Sequence, residues 1–219
     1  RFAIFGYAHL PALKKHQRMI EARELPDAVA RVAQFEAMAE ELEAAGYVPI
    51  GLDHFARPED PMARAAADGT LRRNFQGYTT DPAETLIGVG ASAISSFREG
   101  YVQNHHELVP WRTAIRAGRL ATSRGLVLSD RDRLERALIE QVMCFGAVDL
   151  AAIGARFGVP AERCVAAPAR LAELERLGVV AREGTVLRVP DVYRPLLRVV
   201  AAVFDRYLEP SSARHAVAV

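Results

Sequence analysis

Apolar residues recur in different rhythms along the chain. Between Pro26 and Gly46, Val29, Val32, Phe35, Met38 and Leu42 fall three or four apart, and Glu36, Glu40, Glu41 and Glu43 lie off that line. That period predicts an amphipathic helix. Pro26-Asp27 suits its first turn and Gly46 its C-terminal cap. Short continuous apolar runs flank it, Phe2 to Phe5 and Tyr47 to Leu52, and both read as strands. Strand, helix, strand in this order predicts a βαβ unit with parallel strands. A basic and apolar run from Ala12 to Ala22, after the break at Leu10-Pro11, predicts a brief extra helix.

The pattern breaks at Gly51. The stretch to Asp81 is rich in Arg, Asp, Gly and Pro. Connections beyond roughly 15 residues are uncommon unless functional or disordered. This one carries a helix-like run, Pro61 to Asp68, and the cluster Asn74-Phe75-Gln76-Gly77-Tyr78. It is expected to be a folded site loop. Thr85 to Ser95 reads as a strand and a tight turn. Its Gly88 and Gly90 fit close backbone packing better than a phosphate loop. Tyr101 to Asn104 leads to a helix around His106 to Gly118, with Trp111 facing inward. His105 and His106 are adjacent, so on a helix they diverge and read as an exposed pair.

After Arg124 the pattern turns helical. Ser129-Asp130 caps a helix from Arg131 to Phe145, with Leu134, Leu138, Ile139, Val142 and Met143 as its apolar face. Asp149 opens a second helix, to Phe157. A third stretch reaches Leu177, interrupted at Pro168. Val179-Val180 and Val186-Leu187 flank Arg182-Glu183-Gly184, a hairpin signal. A last helix is expected from Val192 to Tyr207, then a frayed tail from Ser211 to Val219. The expected division is an α/β domain over residues 1–125 and a mostly helical, winged-helix-like domain over residues 126–219.

A winged-helix outline suggests DNA binding, but charge argues against it. The candidate recognition segment, Ala161 to Leu177, balances Arg163, Arg170 and Arg176 with Glu162, Glu173 and Glu175. Phosphate neutralisation supplies much of a DNA binder's affinity, and this chain carries a net charge of only +1. No nucleic-acid partner is expected, and no apolar run approaches the roughly 20 residues of a membrane span. The two cysteines, Cys144 and Cys164, are not in a metal-ligand spacing. They read as reduced thiols of a cytoplasmic protein, and no metal site is expected. The first residue, Arg1, stands almost at a strand, so the chain is expected to be a piece of a longer protein.

Candidate chemistry gathers where parallel strands would end. A βαβ unit would bring His9 and His54 to the same carboxyl edge of the sheet, where ligands bind in α/β folds. Each would contact a ligand or hydrogen-bond a loop backbone.

Tyr7-Ala8-His9-Leu10-Pro11, the string GLDHFARPEDPMARA at 51–65, LRRNFQGYTTD at 71–81 and GVGASAIS at 88–95 resemble the oxygen-independent coproporphyrinogen III oxidases, or dehydrogenases. These are radical S-adenosylmethionine enzymes of haem biosynthesis, and the resemblance covers essentially the whole chain. It implies the C-terminal strands of a partial (β/α) barrel followed by the helical domain. It also implies oxidative decarboxylation of two propionates of coproporphyrinogen III to vinyl groups, giving protoporphyrinogen IX. Two S-adenosylmethionine molecules and a 4Fe–4S cluster serve the complete family enzyme. The positions matching its cofactor contacts are Ala8, Phe75, Gln76 and Ile94. Phe75 suits a sulfonium-bearing ligand, or else anchors the loop in a core. Gln76 offers a donor and an acceptor to an amino-acid head group.

The substrate is a tetrapyrrole with four carboxylates, for which Arg is the usual bidentate partner. Arg57 and Arg72, with His54, are the candidate substrate contacts, and Arg64 and Arg73 lie on the same stretch. The alternative for these arginines is a solvated basic loop. The chain lacks the family's CxxxCxxC cluster motif, so alone it is expected to be inactive. It is expected to be a monomer, and its residues do not identify the electron donor or acceptor. A non-catalytic tetrapyrrole- or haem-binding relative, with His9 or His54 on the iron, is the alternative function.

Overall fold

The structure, a computed structural model, describes residues 1–208. The expected frayed tail, 211–219, lies outside them. The N-terminal elements are β1 (Phe2–Ala3), α1 (Ala28–Ala44), β2 (Val48–Ile50), β3 (His54–Ala56) and α2 (Pro61–Ala67). A hairpin of β4 (Arg72–Asn74) and β5 (Gly77–Thr79) follows. Next come β6 (Ile94–Ser96), β7 (Gly100–Asn104), α3 (Leu108–Arg116) and β8 (Thr122–Val127). The C-terminal elements are α4 (Asp130–Phe145), β9 (Ala147–Asp149), α5 (Leu150–Ala155), α6 (Pro168–Arg176), β10 (Ala181–Glu183), β11 (Val186–Arg188) and α7 (Leu197–Ala201).

The helix predicted from Pro26-Asp27 is α1, and the Asp27 side chain accepts from the Ala30 N–H at its start. The βαβ expectation needs correction. β1 and β2 do run the same way, but they are not neighbours. The sheet order is β1-β3-β2, with β3 antiparallel to both. Gly51, at φ +58°, turns the chain back after β2. A left-handed backbone is open to glycine at little cost, so β3 folds onto β2 within a few residues. His54 therefore stands inside a strand, opposite Ala3 and Ile50, rather than past a strand end.

The expected site loop is likewise made of regular pieces: β3, α2 and the β4–β5 hairpin. The brief helix expected over Ala12–Ala22 is two short 3₁₀ turns, Lys15–Met19 and Ala22–Glu24. Buried Gln17 holds this segment in place. It accepts from the Leu10 N–H at 2.5 Å and donates to the Ala8 carbonyl at 3.0 Å. Gly88 packs as expected, since a β-carbon there would stand 2.7 Å from the Ile94 carbonyl oxygen. Gly90 meets nothing, and its φ of +113° is what requires glycine.

β6, β7 and β8 form an antiparallel sheet in that order. β8 carries no strand pattern in the sequence, because its residues are all exposed and show no alternation. Trp111 is half-buried on α3.

The C-terminal elements follow the winged-helix order. Ser129 caps α4 in a reciprocal capping box with Asp132, and Asp149 caps α5. The hairpin turns at Gly184, and β9 adds the third strand, giving β10-β11-β9. The last helix is irregular: 3₁₀ over Asp191–Leu196, α7, then 3₁₀ over Ala202–Phe204. Pro195, inside the first of these turns, cannot donate a helical hydrogen bond. Leu134, Leu138, Val142, Leu171, Leu187, Val200 and Phe204 fill a continuous core. A separate, smaller cluster of Ile50, Ala56, Met62, Leu71 and Tyr78 includes Cys144 of α4. Among the described residues no helix is long and apolar enough to cross a membrane.

Candidate functional site

Asp53 and His54 follow directly from the Gly51 turn. The His54 Nδ1 lies 2.7 Å from Asp53 Oδ1. The other Asp53 oxygen faces Arg198 of α7 at 3.6 Å. Arg194, one turn earlier, donates to the Gly51 carbonyl at 3.1 Å. The C-terminal element thus fixes both the turn and its carboxylate. The opposite side of His54 faces the hairpin, with its ring edge-on to Tyr78 at 5.0 Å between centroids. Tyr78 is buried, accepts from the Leu52 N–H at 2.9 Å and donates to the Met143 carbonyl at 2.8 Å. Burial, first of all, raises its hydroxyl pKa.

A cavity of about 660 Å³ opens beside Asp53. Ile4, Ala8, Phe35 and Leu52 line it with apolar surface, and His9, Asp53 and Arg198 contribute polar groups. His9 Nδ1 is buried there without a hydrogen-bond partner, a condition that usually calls for an absent donor, acceptor or water. Arg31 closes another wall, donating to the Tyr7 carbonyl at 3.1 Å. A cavity of this size, mostly apolar with a few convergent polar groups, has the make-up of a small-molecule site.

The sequence-selected residues fall into separate groups. Ala8 lines the cavity. Phe75 and Gln76 occupy the exposed tip of the β4–β5 hairpin, with Phe75 52% exposed. The Gln76 N–H is held by Asn74 Oδ1 at 2.8 Å, and its side chain is exposed. Phe75 meets Tyr101 edge to face at 5.0 Å. Tyr101 pairs with Ser96 and Gln103 with Ile94, which sets Ile94 and Tyr101 on the same sheet face. Asp53–His54 joins the two groups, lining the cavity through Asp53 and abutting the hairpin through His54.

The arginines are placed differently. Arg57 lies over the Tyr47 ring at 5.1 Å. Arg72 Nε meets Glu140 at 3.0 Å. Arg64 is exposed on α2. Arg73 lies over Tyr78 at 5.5 Å, and its Nε is buried without a hydrogen-bond partner. Glu140 and Arg198 stand in no motif of the sequence, whereas Tyr78 stands in the Asn74–Tyr78 cluster. Arg194 and Arg198 do carry a signal, a four-residue spacing near the chain's end, but nothing local names Gly51 and Asp53 as their targets.

The cysteines do not suit an iron–sulfur cluster. Among the described residues no group of three His, Cys, Asp or Glu side chains converges on a metal position. Cys144 and Cys164 are both buried. Burial, with Glu140 nearby, pushes the Cys144 thiol up to about 12, and burial raises Cys164 as well. Two buried cysteines that converge on no third ligand do not, among the described residues, make a cluster site.

Residues 128–191 match the HemN C-terminal domain family. The chain is 51% identical over 219 residues to an oxygen-independent coproporphyrinogen III oxidase of Bradyrhizobium diazoefficiens, covering 100% of this chain and 49% of that protein. It is 46% identical over 213 residues to the enzyme of the same name from Cereibacter sphaeroides, covering 94% and 46%. Among solved structures, the coproporphyrinogen III oxidase HemN of Escherichia coli, described as a radical SAM enzyme, matches with a TM-score of 0.87 at 34% identity. That match covers 94% of this chain and 48% of the other. The chain spans about half the length of these curated relatives. The chain is thus similar to the C-terminal part of oxygen-independent coproporphyrinogen III oxidases, one of them described as a radical SAM enzyme, and its residues 128–191 match the HemN C-terminal domain.

Proposed function

We propose that this chain is the C-terminal half of an oxygen-independent coproporphyrinogen III oxidase that converts two propionates of coproporphyrinogen III to vinyl groups. Each conversion removes carbon dioxide, one hydrogen and one electron from a propionate and leaves the carbon–carbon double bond. The observation that carries this reading is similarity over the entire chain, at 51% identity, to a curated enzyme of that name.

In this reading the cluster is held outside these residues, because the sequence lacks the CxxxCxxC motif and no ligand set converges among the described residues. The chain alone is therefore inactive. S-adenosylmethionine, when bound in the complete enzyme, supplies the hydrogen-abstracting chemistry. The cavity beside Ala8 suits part of such a ligand: apolar wall for a flat ring, buried His9 Nδ1 and the Asp53 carboxylate for polar groups. Phe75, Gln76 and Ile94 receive the second of two such molecules or its head group. His54, Arg57 and Arg72 face the substrate's carboxylates, where a guanidinium or a protonated imidazole can pair with a propionate.

The test uses the complete reading frame, expressed and reconstituted without oxygen and supplied with coproporphyrinogen III and S-adenosylmethionine. Vinyl product from the complete protein, none from this chain alone, and a raised substrate KM in Arg57→Ala are the expected results. A reconstituted complete protein that shows cluster absorbance yet forms no vinyl product would refute the reading.

A further inference from the structure

One side of α4 meets the β4–β5 hairpin and its surroundings at successive turns. Arg136 and Glu140 are spaced four apart on α4 and so share a face. Arg136 lies over the Tyr101 ring at 5.6 Å, and Tyr101 is the ring that Phe75 meets. Glu140 Oε1 accepts from both the Arg72 Nε and the Arg73 backbone N–H, each at 3.0 Å. The Met143 carbonyl accepts from the Tyr78 hydroxyl. The hairpin is thus held on its first strand by Glu140, on its return strand by Tyr78, and beyond its tip through Tyr101.

The other side of α4 is anchored. Leu134, Leu138 and Val142 are at most 1% exposed in the C-terminal core. Of the hairpin's strand residues only Tyr78 belongs to a buried core cluster. Each hairpin strand is three residues long, and the tip is exposed. A two-stranded hairpin is marginal in water without a surface to pack on. Charge-assisted bonds to a carboxylate that is 18% exposed are stronger than neutral ones.

We propose that Glu140 is a positioning residue for the site: it sets the β4–β5 hairpin, and with it Phe75 and Gln76, while α4 carries the rigidity of the C-terminal core to them. Glu140 does not line the cavity and does its work through Arg72 and the Arg73 backbone. The proposal rests on the reading of Phe75 and Gln76 as ligand contacts. It gives the C-terminal domain a role in the chemistry that requires no nucleic acid.

Two readouts test it. The first is amide hydrogen exchange on this chain, comparing residues 72–79 with the core segment 197–204. Glu140→Ala should speed exchange in the hairpin about tenfold and leave the core segment unchanged. Glu140→Gln, which keeps an acceptor oxygen, should restore most of the protection. The second is steady-state kinetics of the complete enzyme. There Glu140→Ala should raise KM for S-adenosylmethionine about tenfold with kcat held within about threefold, the signature of lost binding rather than lost chemistry. Glu140→Gln should recover it.

Unchanged hairpin exchange in Glu140→Ala overturns the proposal. Faster exchange with unchanged kinetics overturns its functional half. A complete wild-type protein without turnover defeats the coproporphyrinogen reading instead, and the exchange result alone then decides whether Glu140 holds the hairpin. Should Glu140→Ala fail to fold, Glu140→Met keeps the side-chain length, deletes the acceptor of both bonds and is read by the same two measurements.

Discussion

The first helix and the fourth present similar apolar stripes and meet opposite fates. On α4, Leu134, Leu138 and Val142 are sealed in the core. On α1 no residue is fully buried, Val29 is 79% exposed, and Met38 is 43% exposed. Phe5, which lines the same cavity as Phe35 and Met38, is 76% exposed. An apolar stripe therefore states that a face needs covering, not what covers it. In the C-terminal region the covering elements are neighbours in sequence. In the N-terminal region the described residues supply only part of the cover, and the same surface forms the cavity wall at Phe35 and Met38.

The sharpest way to break this comparison is paired truncation. Leu138→Ala should destabilise the chain by about 2–5 kcal/mol, because Leu138 is wholly buried. Val29→Ala, a matching cut on α1, should change stability by less than about 0.5 kcal/mol. Denaturant unfolding measures both, and equal losses would mean that α1 is packed as tightly as α4.

A smaller loss is expected where the two regions join. Gly51 has φ +58°, and a β-carbon there would overlap the ring end of Tyr78. Tyr78 is pinned at its hydroxyl from both sides and cannot yield. Gly51→Ala should cost about 1–3 kcal/mol and weaken protection of the hairpin amides. Wild-type stability and exchange in that variant would show that the junction is soft.

The smallest effect depends on pH and belongs to the C-terminal region. The Ser129 hydroxyl bonds Asp132, and its N–H and Arg206 add to the effect, so the Asp132 carboxyl is held below its ordinary range. A lowered folded pKa means that this stabilisation is full above the unfolded value of about 4 and is lost as pH falls through the lower folded value. Asp132→Asn should lower stability slightly at neutral pH and flatten the acid limb of a stability–pH curve, so that variant and wild type converge at low pH. An acid limb identical to wild type would remove Asp132 from the cause.

Local chemistry was legible in the sequence, and pairing across distance was not. Ser129 announced α4, Pro26-Asp27 announced α1, and Gly184 announced the hairpin, because caps and turns are written within a few residues. The Asn74–Tyr78 cluster also stood out as a site candidate, and it occupies a projecting hairpin. β3 escaped notice because three residues carry no period, and its partner β1 is some fifty residues upstream. β8, TSRGLV, lies open to solvent and lacks the alternation that burial imposes. Glu140 had no signal at all: a carboxylate on a polar helix face looks solvated until its partners 67 and 68 residues away are placed beside it.

The β1-β3-β2 order has a consequence for how the chain is made. The middle strand of that sheet is the last of its three to leave the ribosome, so β1 and β2 emerge with no template between them. The hairpin must wait longer still, until α4 supplies Glu140 and Met143. The C-terminal core closes over short sequence separations, the kind of contact that forms fast. The hairpin, made before α4, takes its order from a carboxylate that leaves the ribosome 67 and 68 residues after the groups it holds.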